Sequence, residues 1–217
     1  MKIYHGWFCE HESFIEYLVT RVLTLVQQVR TTGIENPEVY EIFTLAVKVD
    51  IYDSYFAQVF IQHSIQWYQE SSESVIPLCE YMAFTEQVLQ REEKLASVLP
   101  VDTWKVLETN IKTSFIKMHF PALITKHLHS MILDHDLPNL KKLFHLANLL
   151  DDQIIAESVL KHEWIQSIQK WTMNCLETDT GVIEKLLLVK KNCEQILRDC
   201  LESRKSFQLS FKESIEG

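Results

Sequence analysis

The chain has 217 residues, a formal charge of −9, 4 glycines and 5 prolines. Average usage would give about 15 glycines at this length. Glycine supplies the left-handed turns of hairpins, phosphate loops and barrels, so an all-β fold, a dinucleotide-binding domain or a P-loop is disfavoured, and the acidic balance lacks the electrostatic attraction that carries nucleic-acid affinity.

Apolar residues make up 47% and charged residues 24%, the balance of a globular protein. The cysteines, Cys9, Cys79, Cys175, Cys193 and Cys200, are odd in number and form no C-x-x-C pair. They read as buried or half-buried thiols of a reducing compartment. The opening Met1 to Glu10 has no apolar signal region, and there is no run of 18 apolar residues. The expectation is a soluble protein of the cytoplasm and/or nucleus.

The helical period recurs from residue 13 onward. Phe14, Leu18, Val22, Leu25 and Val29 share one face, and Ser13 with Glu16 fits a capping box. Thr31-Thr32-Gly33 should stop that helix. Asn36-Pro37 should open the next, Asn as N-cap and Pro at the first helical position. There Val39, Ile42, Phe43 and Ala46 form one stripe, and Tyr40, Phe43 and Val47 form a second beside it. Two stripes suit a helix covered from two sides, or from one side plus a partner.

Residues 51–70 carry Tyr52, Phe56, Val59, Phe60, His63 and Trp67. After the polar break Ser71 to Ser74, Leu78, Tyr81, Met82, Thr85, Val88, Leu89 and Leu95 continue a long helix to about residue 99. Its charged tail, Gln90-Arg91-Glu92-Glu93-Lys94, reads as solvated. Pro100 should end it and Asp102 cap the following helix, with Trp104, Leu107, Ile111, Phe115 and Met118 on one face. Pro121 should kink or split that element, before a run to Leu133.

Asp134-His135-Asp136 reads as a loop. Leu137, Leu140, Phe144 and Ala147 mark a short helix before Asp151-Asp152. Leu160, Trp164, Ile168 and Trp171 mark another face. Glu177 to Gly181 is the clearest linker. Ile183, Leu186, Leu187, Cys193, Leu197 and Cys200 make a last long helix, and Phe207, Leu209 and Phe211 a closing segment. The pattern predicts about ten helices and no strand.

Few residue groups suggest chemistry. His119, His127, His129 and His135 lie close in sequence, but residues two apart on a helix point about 200° apart, and no cysteine pair completes a metal site. Cys9-Glu10-His11 is weaker still. The acids of Asp134-His135-Asp136 and Asp151-Asp152 read as caps and solvated turns. No catalytic residue, metal, cofactor or small-molecule ligand is expected.

The segment order resembles the stalk of the cullin family, the scaffolds of multisubunit ubiquitin ligases. Ile51-Tyr52-Asp53-Ser54-Tyr55-Phe56, continued to Trp67-Tyr68, looks like the opening of a second cullin repeat. Ser74 to Met82, running on to Leu89-Gln90-Arg91-Glu92-Glu93-Lys94, resembles the polar break and charged-ended helix that follow it. Leu137 to Leu149 falls where the family has a short helix, and Ile183 to Leu201 with Phe207 resembles the third repeat. Residues 12–49 look like the last two helices of the first. Two stretches depart from the family pattern, Ser203-Arg204-Lys205-Ser206 before the trailing phenylalanine and Asp151-Asp152-Gln153 in place of a glycine turn.

The resemblance implies an all-α, elongated stack of helical-bundle repeats, non-catalytic, with segments 1–50, 51–155 and 156–217 in the first, second and third repeats. It implies an adaptor or substrate-receptor partner of Skp, BTB or propeller type, held in ubiquitin-dependent protein degradation, with no nucleic acid or membrane. The docking face would use residues 36–49, with Tyr40, Phe43 and Val47 as contacts; the plain alternative is that these pack inside the repeat. The half of the family that binds the RING subunit has no counterpart in these residues. Three competing readings are a truncated cullin-like competitor for adaptors, an unrelated helical-rod tethering subunit, and an enzyme using the histidines between 119 and 135.

Overall fold

The computed structural model describes residues 11–73, 78–150, 153–177, 180–202 and 204–216. Among them every regular element is helical. The chain divides into two compact units, residues 1–76 with 83–115, and residues 77–82 with 116–217.

Helices α1 (Glu12–Thr32), α2 (Pro37–Lys48), α3 (Ala57–Ser72), α4 (Leu78–Ala96) and α5 (Val101–Ile111) come first. A π-helical turn, Tyr52–Phe56, leads into α3, and another, Lys112–Lys117, follows α5. Then come α6 (Phe120–Leu133), α7 (Leu137–Asn148), α8 (Gln153–Leu176), α9 (Val182–Asp199) and α10 (Lys205–Glu216).

In the first unit α1 packs on α2, and α3 on α5. Gly33 ends α1 in the left-handed region, at φ 75°, which costs glycine nothing. The amide of Glu38 donates to Asn36 Oδ1 at 3.0 Å, so Asn36 caps α2 as its sequence predicts. Along α3 the buried positions are Phe60, Ser64, Tyr68 and Ser72, one every fourth residue, continuing the line of Tyr52 and Phe56. The buried row of this unit thus carries hydroxyls as well as rings.

In the second unit α8 is central, and α6, α7, α9 and α10 all pack on it. Trp164 lies fully buried there, its ring edge-to-face with Phe207 at 6.5 Å. Pro121 stands in the first turn of α6, so it splits the element after Ile111 as expected. Asp136 caps α7, its Oδ1 accepting from the Asn139 amide at 3.3 Å. Cys193 and Cys200 are buried. Burial pushes the Cys193 thiol up to about 12 and the Cys200 thiol up to about 11. Both stay protonated at pH 8, and the thiolate is the reactive form. Iodoacetamide at pH 8 should therefore label these two only after urea is added; labelling of the folded protein would contradict this packing.

Several local expectations fail. The Ser13–Glu16 capping box does not form, because α1 already starts at Glu12 with His11 as N-cap and no side-chain cap bond. The inward face of α1 is Ile15, Leu18, Val22, Leu25, Val26 and Arg30, which leaves Phe14 exposed. Pro100, not Asp102, is the N-cap of α5; Asp102 sits in the first turn. There a carboxylate faces the positive end of the helix dipole. Met118 and Leu209 are exposed, as are Ile183 and Leu187. Ser74, Asp151, Asp152, Thr178, Asp179 and Ser203 lie outside the described residues, as do Cys9 and Glu10.

Candidate docking site

Helix α2 carries the residues predicted to meet a partner, and the structure separates them. Seven residues bring a helix round to nearly the same angle, so Tyr40 and Val47 share one flank of α2. Val47 is 42% exposed and Tyr40 half-buried. Phe43 is 0% exposed. Its ring lies 4.8 Å from Phe60, 6.0 Å from Tyr52 and 6.5 Å from Phe56, centroid to centroid. Phe43 therefore belongs to the core stripe with Val39, Ile42 and Ala46, and has no surface to offer a partner. Of the three residues expected as contacts, Tyr40 and Val47 have surface on this flank and Phe43 has none.

The start of α2 is pinned by a two-pronged ion pair. Arg21 donates from Nε to Glu38 Oε1 at 2.8 Å and from Nη2 to Oε2 at 2.7 Å. These bonds hold the Glu38 carboxyl below the usual carboxylate range. On the other flank, burial pushes the Tyr40 phenol up, and Glu35 adds to the shift. Beside Tyr40 stands an ion pair of Lys94 with Glu35.

Behind this surface lies a polar cluster that includes Glu92, a residue expected in solvent with the rest of the tail from Gln90 to Lys94. Glu92 is 3% exposed and Arg30 is 3% exposed. Arg30 donates from Nε to Glu92 Oε1 at 2.6 Å and from Nη2 to Oε2 at 2.9 Å. Nη2 also reaches Ser64 Oγ at 3.0 Å and Tyr68 Oη at 3.2 Å. Tyr68 Oη donates to Glu92 Oε2 at 2.6 Å. The guanidinium carbon lies 5.1 Å from the ring centres of Trp67 and Tyr68 and 5.9 Å from that of Phe60. Burial, and then the Glu92 charge, raise the Tyr68 phenol well above its usual value. The cluster ties α1, α3 and α4 together and thereby fixes the helices against which α2 packs. The charged tail of α4 is thus divided, with Glu92 inward and Glu93 and Lys94 exposed.

The spacing did contain this signal. Thr85, Val88, Glu92 and Leu95 step by 3, 4 and 3, which sets Glu92 on the apolar face of α4. Arg30 likewise follows Val22 and Val26 at steps of four.

Among the described residues no group of three or more His, Cys, Asp or Glu is placed to hold a metal ion. The His119 ring packs edge-on against Tyr81 at 5.6 Å. Among the described residues no helix is long and apolar enough to cross a membrane.

Packed helical units, each with its own aromatic core, make this an all-α protein in which one flank of α2 is left half open. The model of the cullin α-solenoid domain matches residues 2–217. The chain belongs to the cullin family, whose domain is of the scaffold type and works through adaptor-type protein partners.

Proposed function

We propose that this chain is a non-catalytic scaffold segment of a cullin–RING ubiquitin ligase that holds a substrate-receptor adaptor for ubiquitin-dependent degradation. The observation that carries the reading is the half-open flank of α2, Tyr40 with Val47, in a chain matched along residues 2–217 by the cullin model. An exposed valine on a well-anchored helix suits protein docking, since apolar contact area on a preformed surface is bound at little conformational cost. The adaptor is of Skp, BTB or propeller type, met in the cytoplasm or nucleus. The repeat assignment, 1–50, 51–155 and 156–217, belongs to the same proposal.

Affinity capture from cell extract, with bound proteins identified by mass spectrometry, tests this reading. Recovery of one such adaptor is expected. Loss of it with Val47→Asp is expected too, because a buried unpaired carboxylate at an interface costs several kcal/mol. Recovery of no adaptor, or undiminished recovery by the variant, counts against it.

A further inference from the structure

Two adjoining cavities open beside Tyr40, both within the first unit. The outer one has a volume of about 160 Å³ and is lined by Gly33, Glu35, Tyr40, Gln90, Arg91 and Lys94, among others. The inner one, about 20 Å³, is lined by Arg30, Tyr40, Arg91 and Glu92 among others. Tyr40 and Arg91 belong to both walls. We infer that this double cavity receives an acidic side chain of a protein docked on α2. The inference rests on the docking reading above for the source of that side chain, and on the cavity itself for its chemistry.

Size comes first. Pockets for cofactors and drug-sized ligands run to roughly 300–1,000 Å³. A cavity of about 160 Å³ is scaled to one side chain.

Charge comes second. The walls hold three cations, Arg30, Arg91 and Lys94, and two carboxylates, Glu35 and Glu92. That is one positive charge in excess, in a chain whose formal charge is −9. The Arg30 and Glu92 charges are already matched to each other at 2.6 Å. Glu35 in the outer wall repels a doubly charged phosphate more than a singly charged carboxylate.

Donors come third. Arg30 Nη1 is buried and has no acceptor among the described residues. Arg91 uses Nη1 on the Arg30 carbonyl and Nη2 on Gln87 Oε1, both at 3.3 Å, which leaves further N–H groups. Tyr40 and Gln90, which carry a hydroxyl and an amide, line the same wall. N–H and O–H groups around a cation are what a carboxylate accepts from, and such charge-assisted bonds are the strong ones.

Preorganisation comes last. The Arg91 guanidinium lies so close over Gly33 that a Cβ there would meet Nη2 at 2.7 Å. Gly33 thus both turns the chain at the end of α1 and leaves room for the cation.

The test is a titration of the ¹⁵N-labelled full chain with N-acetyl-glutamate N-methylamide, followed by NMR. Shift changes confined to the Gln90 side-chain amide, the Arg91 Nε–H and neighbouring backbone amides are expected. Arg91→Gln should weaken the interaction about tenfold or more, the scale of a hydrogen bond to a charged group. Arg91 also caps α1, so Gln90→Ala, at an exposed position, serves as a second variant and should weaken it severalfold. Equal shifts with the glutamine analogue would overturn the proposal. So would a response to inorganic phosphate without one to the glutamate probe, or titrations unchanged in both variants. The free probe needs no adaptor, so a failure here is distinct from a failure of docking on α2.

Discussion

Replacing Glu92 by alanine is expected to destabilise the first unit by about 3–5 kcal/mol, the cost of leaving a buried charge without its partner. The loss follows from the geometry. Arg30 is 3% exposed, and its two bonds to Glu92 are its carboxylate contacts in the cluster. With Glu92 gone, a guanidinium stays out of water against three aromatic rings, and ring faces return only about 2 kcal/mol to a desolvated cation. Glu92→Gln keeps the shape and loses the charge, so a smaller loss is expected. The double variant Arg30→Met with Glu92→Leu removes both charges and should regain most of the stability, since apolar replacement of a buried pair is often neutral or favourable. Urea denaturation followed by circular dichroism measures all three. A cost below about 1 kcal/mol for Glu92→Ala would show that the pair is open to water.

Phe43→Ala should be about as damaging, at roughly 3–5 kcal/mol, because it opens a cavity among Tyr52, Phe56 and Phe60. Val47→Asp, four residues on, should leave stability within about 0.5 kcal/mol, as exposed substitutions usually do. The contrast matters for docking. A Phe43 variant that loses its partner says only that the first unit has come apart. A Val47 variant that loses its partner while keeping its denaturation midpoint speaks for the surface. A Phe43→Ala variant as stable as the parent would mean that the α2 core is not the one described.

Much of the fold is legible in the residues. The Asn36-Pro37 start of α2, the stop at Gly33, the split at Pro121 and the all-helical class follow from capping and turn chemistry, which act within a few residues. The cullin resemblance rests on segment order, and the family match spans the same chain. What the sequence withheld depends on which face a neighbouring helix covers. On α1, the rows through Phe14 and through Ile15 share Leu18, Val22 and Leu25, and packing against the neighbouring helices chooses between them. On α2, both stripes pass through Phe43, and the rings of Tyr52, Phe56 and Phe60 decide that it turns inward. Of the face expected for α9, Cys193, Leu197 and Cys200 are buried, with Val189 and Ile196 beside them, whereas Ile183 and Leu187 in its first turns are exposed.

Glu92 is the most instructive case. A run such as Gln90 to Lys94 reads as solvated because isolated charges are rarely buried. That rule looks at one segment at a time. The burial of Glu92 is made possible by a partner 62 residues away, Arg30, and by the hydroxyls of Ser64 and Tyr68 on a third helix. Ser64 in the buried row of α3, where an apolar row would have leucine, is the local trace of that arrangement.

The central claim is that a cullin-type scaffold docks its adaptor on the open flank of α2. The most direct measurement is the affinity of the purified chain for the adaptor it captures, by calorimetry, compared among the parent, Tyr40→Ala and Val47→Asp, each first shown to unfold at the parent's denaturant midpoint. Both variants are expected to bind at least tenfold more weakly, with Val47→Asp the weaker. Affinities equal to the parent's in both variants would contradict the claim and move the docking surface off this helix.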